Sequence, residues 1–156
     1  MIRLTLFSAL TAVSCALWGD TVSAEDIPFH LVAEDQTPTG KFTTAAEISQ
    51  ILGLTKANWV AVREWQGEDL IYVTHLWAWR CGLVQIELGV NGAPLEVWPL
   101  PECHIDTAQP NTIIESDGFP YRKFSLKSVE NIDVRVILDD LTVQSASFIR
   151  KEVLLP

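Results

Sequence analysis

Any chemistry in this 156-residue chain must come from few side chains: three cysteines, three histidines, and arginines set among six tryptophans. Cys81, Cys103 and His104, joined by His75 or Asp106, have the thiolate and imidazole chemistry of a zinc or copper site. No Cys-x-x-Cys is present, and an even pair of cysteines outside the cytosol more simply forms one structural disulfide. His75 and His104 are also the candidate general bases of a small secreted hydrolase, each needing a carboxylate to orient it. The available hydroxyls, Ser125 and Ser128, lie in no Gly-x-Ser-x-Gly elbow. His-Glu-x-x-His, a glycine phosphate loop and an EF-hand loop are also absent from the sequence. Glu68-Asp69, Asp139-Asp140, and Glu115 with Asp117 have the composition of glycosidase carboxylates or calcium ligands. Adjacent turn residues point in different directions, so these acids read as solvated turn positions. No catalytic residue, cofactor or metal set is assigned on this basis.

The most distinctive constellation is Trp59, Arg63, Trp65 and Tyr72, with Trp77, Trp79 and Arg80 close by. Aromatic rings interleaved with a guanidinium stack sugars, peptides or cationic groups. The competing assignment buries the same rings beneath a helix as ordinary core. Arg63 discriminates between the two: under a helix it needs a charged or carbonyl partner, whereas on an open face it stacks on a ring at little cost. Trp65, beside Gln66-Gly67, is expected to stay partly exposed at the end of the sheet.

These residues need elements to hold them, and the first segment supplies none. Arg3 followed by the apolar run Leu4 to Gly19, then Val22-Ser23-Ala24, has the three parts of an export signal with cleavage between Ala24 and Glu25. The run is shorter than the roughly 20 residues that span a bilayer. A lipoprotein acylated at Cys15 is the poorer alternative, because Ala12 stands where a larger aliphatic is usual. Removal of residues 1–24 takes one base and one acid, so residues 25–156 keep the net charge of −9. That acidity repels phosphate backbones and anionic lipid, which argues against nucleic acid and peripheral membrane partners. With 48% hydrophobic residues the remainder folds as one globular domain rather than staying disordered.

Glu25 to Val32 reads as a short strand and Ala33 to Thr43 as a loop. Thr44-Ala45-Ala46-Glu47 has the capping-box pattern, and Ile48, Ile51 and Leu52 follow at helical spacing, which predicts a helix over residues 45–54. From Asn58 onward β-branched and aromatic residues dominate, which predicts an antiparallel meander. Trp59 to Trp65 and Leu70 to Trp77 would form a first pair with Trp65 opposite Leu70, placing Val60, Val62, Ile71 and Val73 on one face. The other face would carry Trp59, Arg63, Trp65, Tyr72 and Leu76, with His75 half-buried in the second strand.

Leu83 to Val90 alternates, with Val84, Ile86, Leu88 and Val90 inward and Gln85 and Glu87 outward. Asn91-Gly92 is a two-residue primed turn, which sets Leu88 against Leu95 and Ile86 against Val97. That register leaves Cys81 and Cys103 one residue out of step, and a one-residue slip at Pro94 or Pro99 would align them. His104 to Pro120 reads as a long polar loop, either functional or disordered. A last hairpin turns on Asp139-Asp140, with Val134, Val136 and Leu138 meeting Leu141 and Val143. The expectation is an α+β domain, one N-terminal helix packed on an antiparallel meander with a single disulfide. One helix followed by a meander is similar in outline to cystatin-like architectures, without any residue motif of that family. The expected role is a periplasmic or secreted, non-catalytic binding or envelope-accessory module for a protein, peptide or glycan partner, without a stable membrane anchor.

Overall fold

The computed structural model describes residues 27–156, so the expected signal segment and its cleavage point lie outside the described residues. Residues 27–32 form no strand. Pro28 cannot donate to a ladder, its carbonyl accepts the Leu31 amide in a turn, and Phe29 is exposed.

Helix α1 spans Ala45–Leu54 and buries Ala45, Ile48 and Leu52, but its cap differs from the expected one. The Thr44 side chain makes no capping bond. Instead Asp139 Oδ1 accepts the Ala45 amide at 2.7 Å and Gln36 Oε1 accepts the Ala46 amide at 3.0 Å, so distant residues satisfy the first-turn donors. Glu47 reaches past Thr44 to accept the amides of Gly40 at 2.6 Å and Thr43 at 2.9 Å. Burial pushes the Glu47 carboxyl up, yet these amides outweigh it and bring it down to about 2.

The strands form two antiparallel sheets rather than one meander. β1 (Ala61–Trp65), β2 (Glu68–Tyr72) and β5 (Tyr121–Ser125) make a three-stranded sheet in the order β1-β2-β5. β3 (Leu83–Val90), β4 (Glu96–Trp98), β6 (Asn131–Leu138) and β7 (Val143–Ile149) make a four-stranded sheet in the order β4-β3-β6-β7. The strand expected to reach Trp77 stops at Tyr72, because residues Thr74–Trp77 coil into a short helix, α2, and Arg80–Gly82 into a 3₁₀ turn. That coil sinks Leu76 and Trp77 into the core and lets the Trp77 indole donate to the Pro99 carbonyl at 3.0 Å. A last short helix, α3, spans Arg150–Val153.

Between the sheets and α1 lies one core, with Val62, Ile71 and Val73 from the first hairpin, Ile86 and Leu88 from β3, and Val134 and Val136 from β6. The helix approaches the Arg80–Gly82 turn so closely that a Cβ on Gly82 would stand 2.7 Å from Ile48 Cδ1.

Both later hairpins depart from the expected register by one residue, and each slip reverses which side chains face inward. Asn91 and Gly92 have the positive φ of a primed turn, and the Ala93 amide closes it on the Val90 carbonyl. β4 nevertheless pairs Leu88 with Glu96 and Ile86 with Trp98. The extra residue is taken up at Ala93-Pro94, where the Ala93 carbonyl lies against Gly89 so closely that no Cβ would fit. Trp98 therefore turns inward, while Leu95 and Val97 are exposed. At the other hairpin the loop is Asp139-Asp140-Leu141 with Leu141 at φ 67°, and Ile137 pairs with Val143. A type I turn followed by a left-handed residue gives this three-residue connection. Val134 and Val136 consequently meet Ala146 and Gln144 instead of Leu141 and Val143. Gln85 and Glu87, expected in solvent, are buried, and Glu87 Oε2 lies 2.7 Å from Arg135 Nε.

The slip also brings Cys81 and Cys103 into register, and they are disulfide-bonded.

Candidate functional site

The first hairpin closes on Gln66-Gly67, both at positive φ, so Trp65 pairs with Glu68 and not with Leu70. A shift of two residues preserves side-chain parity. Val62 and Ile71 stay on the inner face and are fully buried. Arg63 and Trp65 lie on the outer face, where the row of Arg63 continues through Leu70 to Lys123 of β5, that of Trp65 through Glu68 to Ser125, and the next row joins Ala61, Tyr72 and Tyr121.

On that outer face the Arg63 guanidinium carbon sits 4.5 Å from the centroid of the Trp65 ring, and Trp65 is 49% exposed. No carboxylate lies within ion-pairing distance of Arg63 among the described residues. Tyr72 packs on Tyr121 with ring centroids 5.1 Å apart, and Phe119 extends the row at 5.5 Å from Tyr121. Lys123 Nζ is held 2.7 Å from Glu68 Oε2. Trp59 does not join this face. It follows the 3₁₀ turn Lys56–Asn58, is fully buried, and donates its indole N–H to the Leu52 carbonyl at 3.1 Å. Leu76 is likewise core.

Next to Arg63 the surface opens into a cavity of about 390 Å³ lined by Asn58, Arg63, Tyr72, Thr74, His75 and Leu155. The Leu155 amide donates to the Val62 carbonyl at 2.8 Å, which fixes Leu155 at the cavity wall. His75 belongs to α2, not to a strand. Its Nε2 lies 2.9 Å from Thr55 Oγ1, and burial pushes its imidazolium pKa down, so it is neutral at pH 7. The Thr55 hydroxyl donates to the Ile51 carbonyl at 2.7 Å, so its oxygen accepts from His75 Nε2–H. The other ring nitrogen is left as an acceptor.

The second histidine stands in a different cluster, built on the disulfide. Arg80 precedes Cys81 and His104 follows Cys103, and both side chains converge on Asp117. Arg80 is buried and donates to the carbonyls of Trp77, Glu102, Asn111 and Thr112. Asp117 also accepts the Ile114 amide at 2.9 Å. Burial raises the Asp117 carboxyl, but the Ile114 amide, His104 and Arg80 together outweigh it and set it below its ordinary value. These bonds order the long segment from His104 to Pro120. His104 Nε2 lies 3.0 Å from Asp117 Oδ1, beside a cavity of about 400 Å³. The two hydroxyls lining that cavity donate elsewhere, Thr107 to the His104 carbonyl and Thr112 to Gln109 Oε1. Among the described residues, neither His75 nor His104 accepts a hydrogen bond from a hydroxyl.

The acids read as solvated turns are clips in three instances. Asp69 is fully buried and bonds both guanidinium nitrogens of Arg150, at 2.6 and 2.9 Å, and the Val129 amide at 3.1 Å. Asp117 anchors Arg80, and Asp139 caps α1. In each pair one side chain points inward to a partner distant in sequence, which adjacent-residue reasoning does not reveal. The sulfurs of Cys81 and Cys103 are spent on each other, so the Cys103 and His104 ligand set lacks its thiolates while the bridge stands. Sequence reasoning also missed β5, whose Tyr121 and Lys123 extend the Arg63 face, because Tyr121-Arg122-Lys123-Phe124-Ser125 carries no clear apolar alternation.

Among the described residues no helix is long and apolar enough to cross a membrane. Compared with models of known protein families, with curated proteins and with solved structures, the chain matches none of them.

Proposed function

We propose that this chain is an exported, non-catalytic binding module of the α+β class, α1 packing on antiparallel sheet, and that its ligand seat is the outer face of the three-stranded sheet. One observation carries the proposal. In a chain of net charge −9, Arg63 is exposed, is stacked on a half-exposed tryptophan, and has no acid partner among the described residues. Stacking on Trp65 holds the guanidinium in place with its N–H edge open, which lowers the ordering cost of binding. The adjacent cavity adds Tyr72 and the polar groups of Asn58 and Thr74, the mixture of apolar wall and few polar groups typical of small-ligand seats. Export rests on the amino-terminal signal pattern and agrees with the disulfide.

Titration of the labelled protein with short peptides and oligosaccharides, followed by amide and indole NMR shifts, tests the assignment. Shifts should centre on Arg63, Trp65 and Tyr72 and vanish in Arg63→Ala and Trp65→Ala. Shifts centred elsewhere, or turnover of any ester, peptide or glycoside that His75→Ala or His104→Ala abolishes, would overturn it. Intact mass of the exported protein should correspond to a start at Glu25.

A further inference from the structure

Resting on that seat, we infer that the ligand is the free carboxyl terminus of a peptide whose last residue is apolar. Three features of the cavity carry this. Arg63 offers the planar fork of donors that a carboxylate accepts bidentately, and its stacking on Trp65 leaves that fork unpaired. His75 has Nε2 engaged with Thr55, so the nitrogen left for a ligand is a lone-pair acceptor, which calls for a donor such as a peptide N–H. Tyr72 and Leu155 supply an apolar wall to the same cavity. A terminal residue meets all three requirements at once: its carboxylate for Arg63, its amide N–H for His75, and its side chain for Tyr72 and Leu155. At about 390 Å³ the cavity lies near the lower end of ligand pockets and suits one or two residues rather than a long segment. An acidic sugar would also meet Arg63, but its hydroxyl-covered ring leaves the Leu155 side without an apolar partner.

The test uses the full mature chain and three probes: acetyl-Ala-Leu-Leu as the free acid, the same peptide as its terminal amide, and a uronic acid disaccharide, each titrated against the Trp65 indole NMR signal. The free acid should bind at least tenfold more tightly than the amide, and Arg63→Gln should erase that difference. Arg63→Lys should recover part of it, because an ammonium keeps the charge and loses the fork. Equal binding of acid and amide would overturn the terminal-carboxylate assignment and leave the seat standing. Preference for the disaccharide would overturn the peptide in favour of an acidic glycan. If no member of the wider panel responds to Trp65→Ala, the seat itself is wrong and this inference falls with it. Arg63 is exposed and bears no structural bond, so its variants should fold. If one does not, the acid-against-amide comparison on the unaltered protein still decides.

Discussion

Replacing Asp69 by asparagine should cost this fold a specific, pH-dependent amount. Asp69 sits one pair from the turn of the first hairpin and fastens that end to the last helix: its carboxylate takes both terminal nitrogens of Arg150 and the Val129 amide, while Arg150 also reaches Glu64 at 2.7 Å. The Arg150 hydrogen bonds dominate in bringing the Asp69 carboxyl from 3.8 to about 2, against the upward push of burial. Its guanidinium is correspondingly raised. A depressed carboxyl of this size contributes about 2.5 kcal/mol, complete above the unfolded value and lost as pH falls toward the folded one. The asparagine amide would keep the size and an acceptor for the Val129 N–H but lose the charge. We therefore expect Asp69→Asn to lose about 2 to 3 kcal/mol at pH 7 in urea denaturation. The difference from the unaltered protein should shrink below about 0.5 kcal/mol at pH 2, because Asp69 is then about half protonated in the folded state and almost wholly protonated in the unfolded one. Carboxyls such as Glu47 titrate in both proteins and cancel in the difference. A loss under about 0.5 kcal/mol at pH 7, or a penalty of equal size at pH 2, would refute the account.

Three further outcomes are expected. Arg80→Lys should destabilise by at least about 3 kcal/mol, because an ammonium cannot satisfy the separated carbonyls of Glu102, Asn111 and Thr112 that the buried fork now serves; proteolysis within residues 104–120 should report the loosened segment. Asp139→Asn should leave stability at pH 7 unchanged or higher, since burial raises this carboxyl while Oδ1 alone takes both the Ala45 and Gln36 donors; Asp139→Ala should lose about 1 to 2 kcal/mol with the cap, and thermal melts of the two variants would separate them. Alkylation without reductant should label neither Cys81 nor Cys103, and the double serine variant should lose about 3 kcal/mol of unfolding free energy, as expected for a loop whose ends are 22 residues apart.

Local physics made part of this molecule readable from its residues. The bounds of α1 follow from apolar spacing after Thr44, those of β3 from alternation, and the Asn91-Gly92 turn from two positions at positive φ. Each depends on interactions within a few residues, and so does the parity that put Arg63 and Trp65 on a face opposite Val62 and Ile71. Tertiary structure decided what lies on the other side of those elements. Whether Trp59 is core or surface depends on the Leu52 carbonyl meeting its indole, and whether Asp69 is solvated or clamped depends on Arg150, 81 residues away. The slip at Ala93-Pro94 turned Trp98 inward and Val97 outward, because a proline that cannot donate frees the ladder to shift by one. Burial is a property of pairs of elements. A sequence states the period of each element, and only their packing states which face is covered.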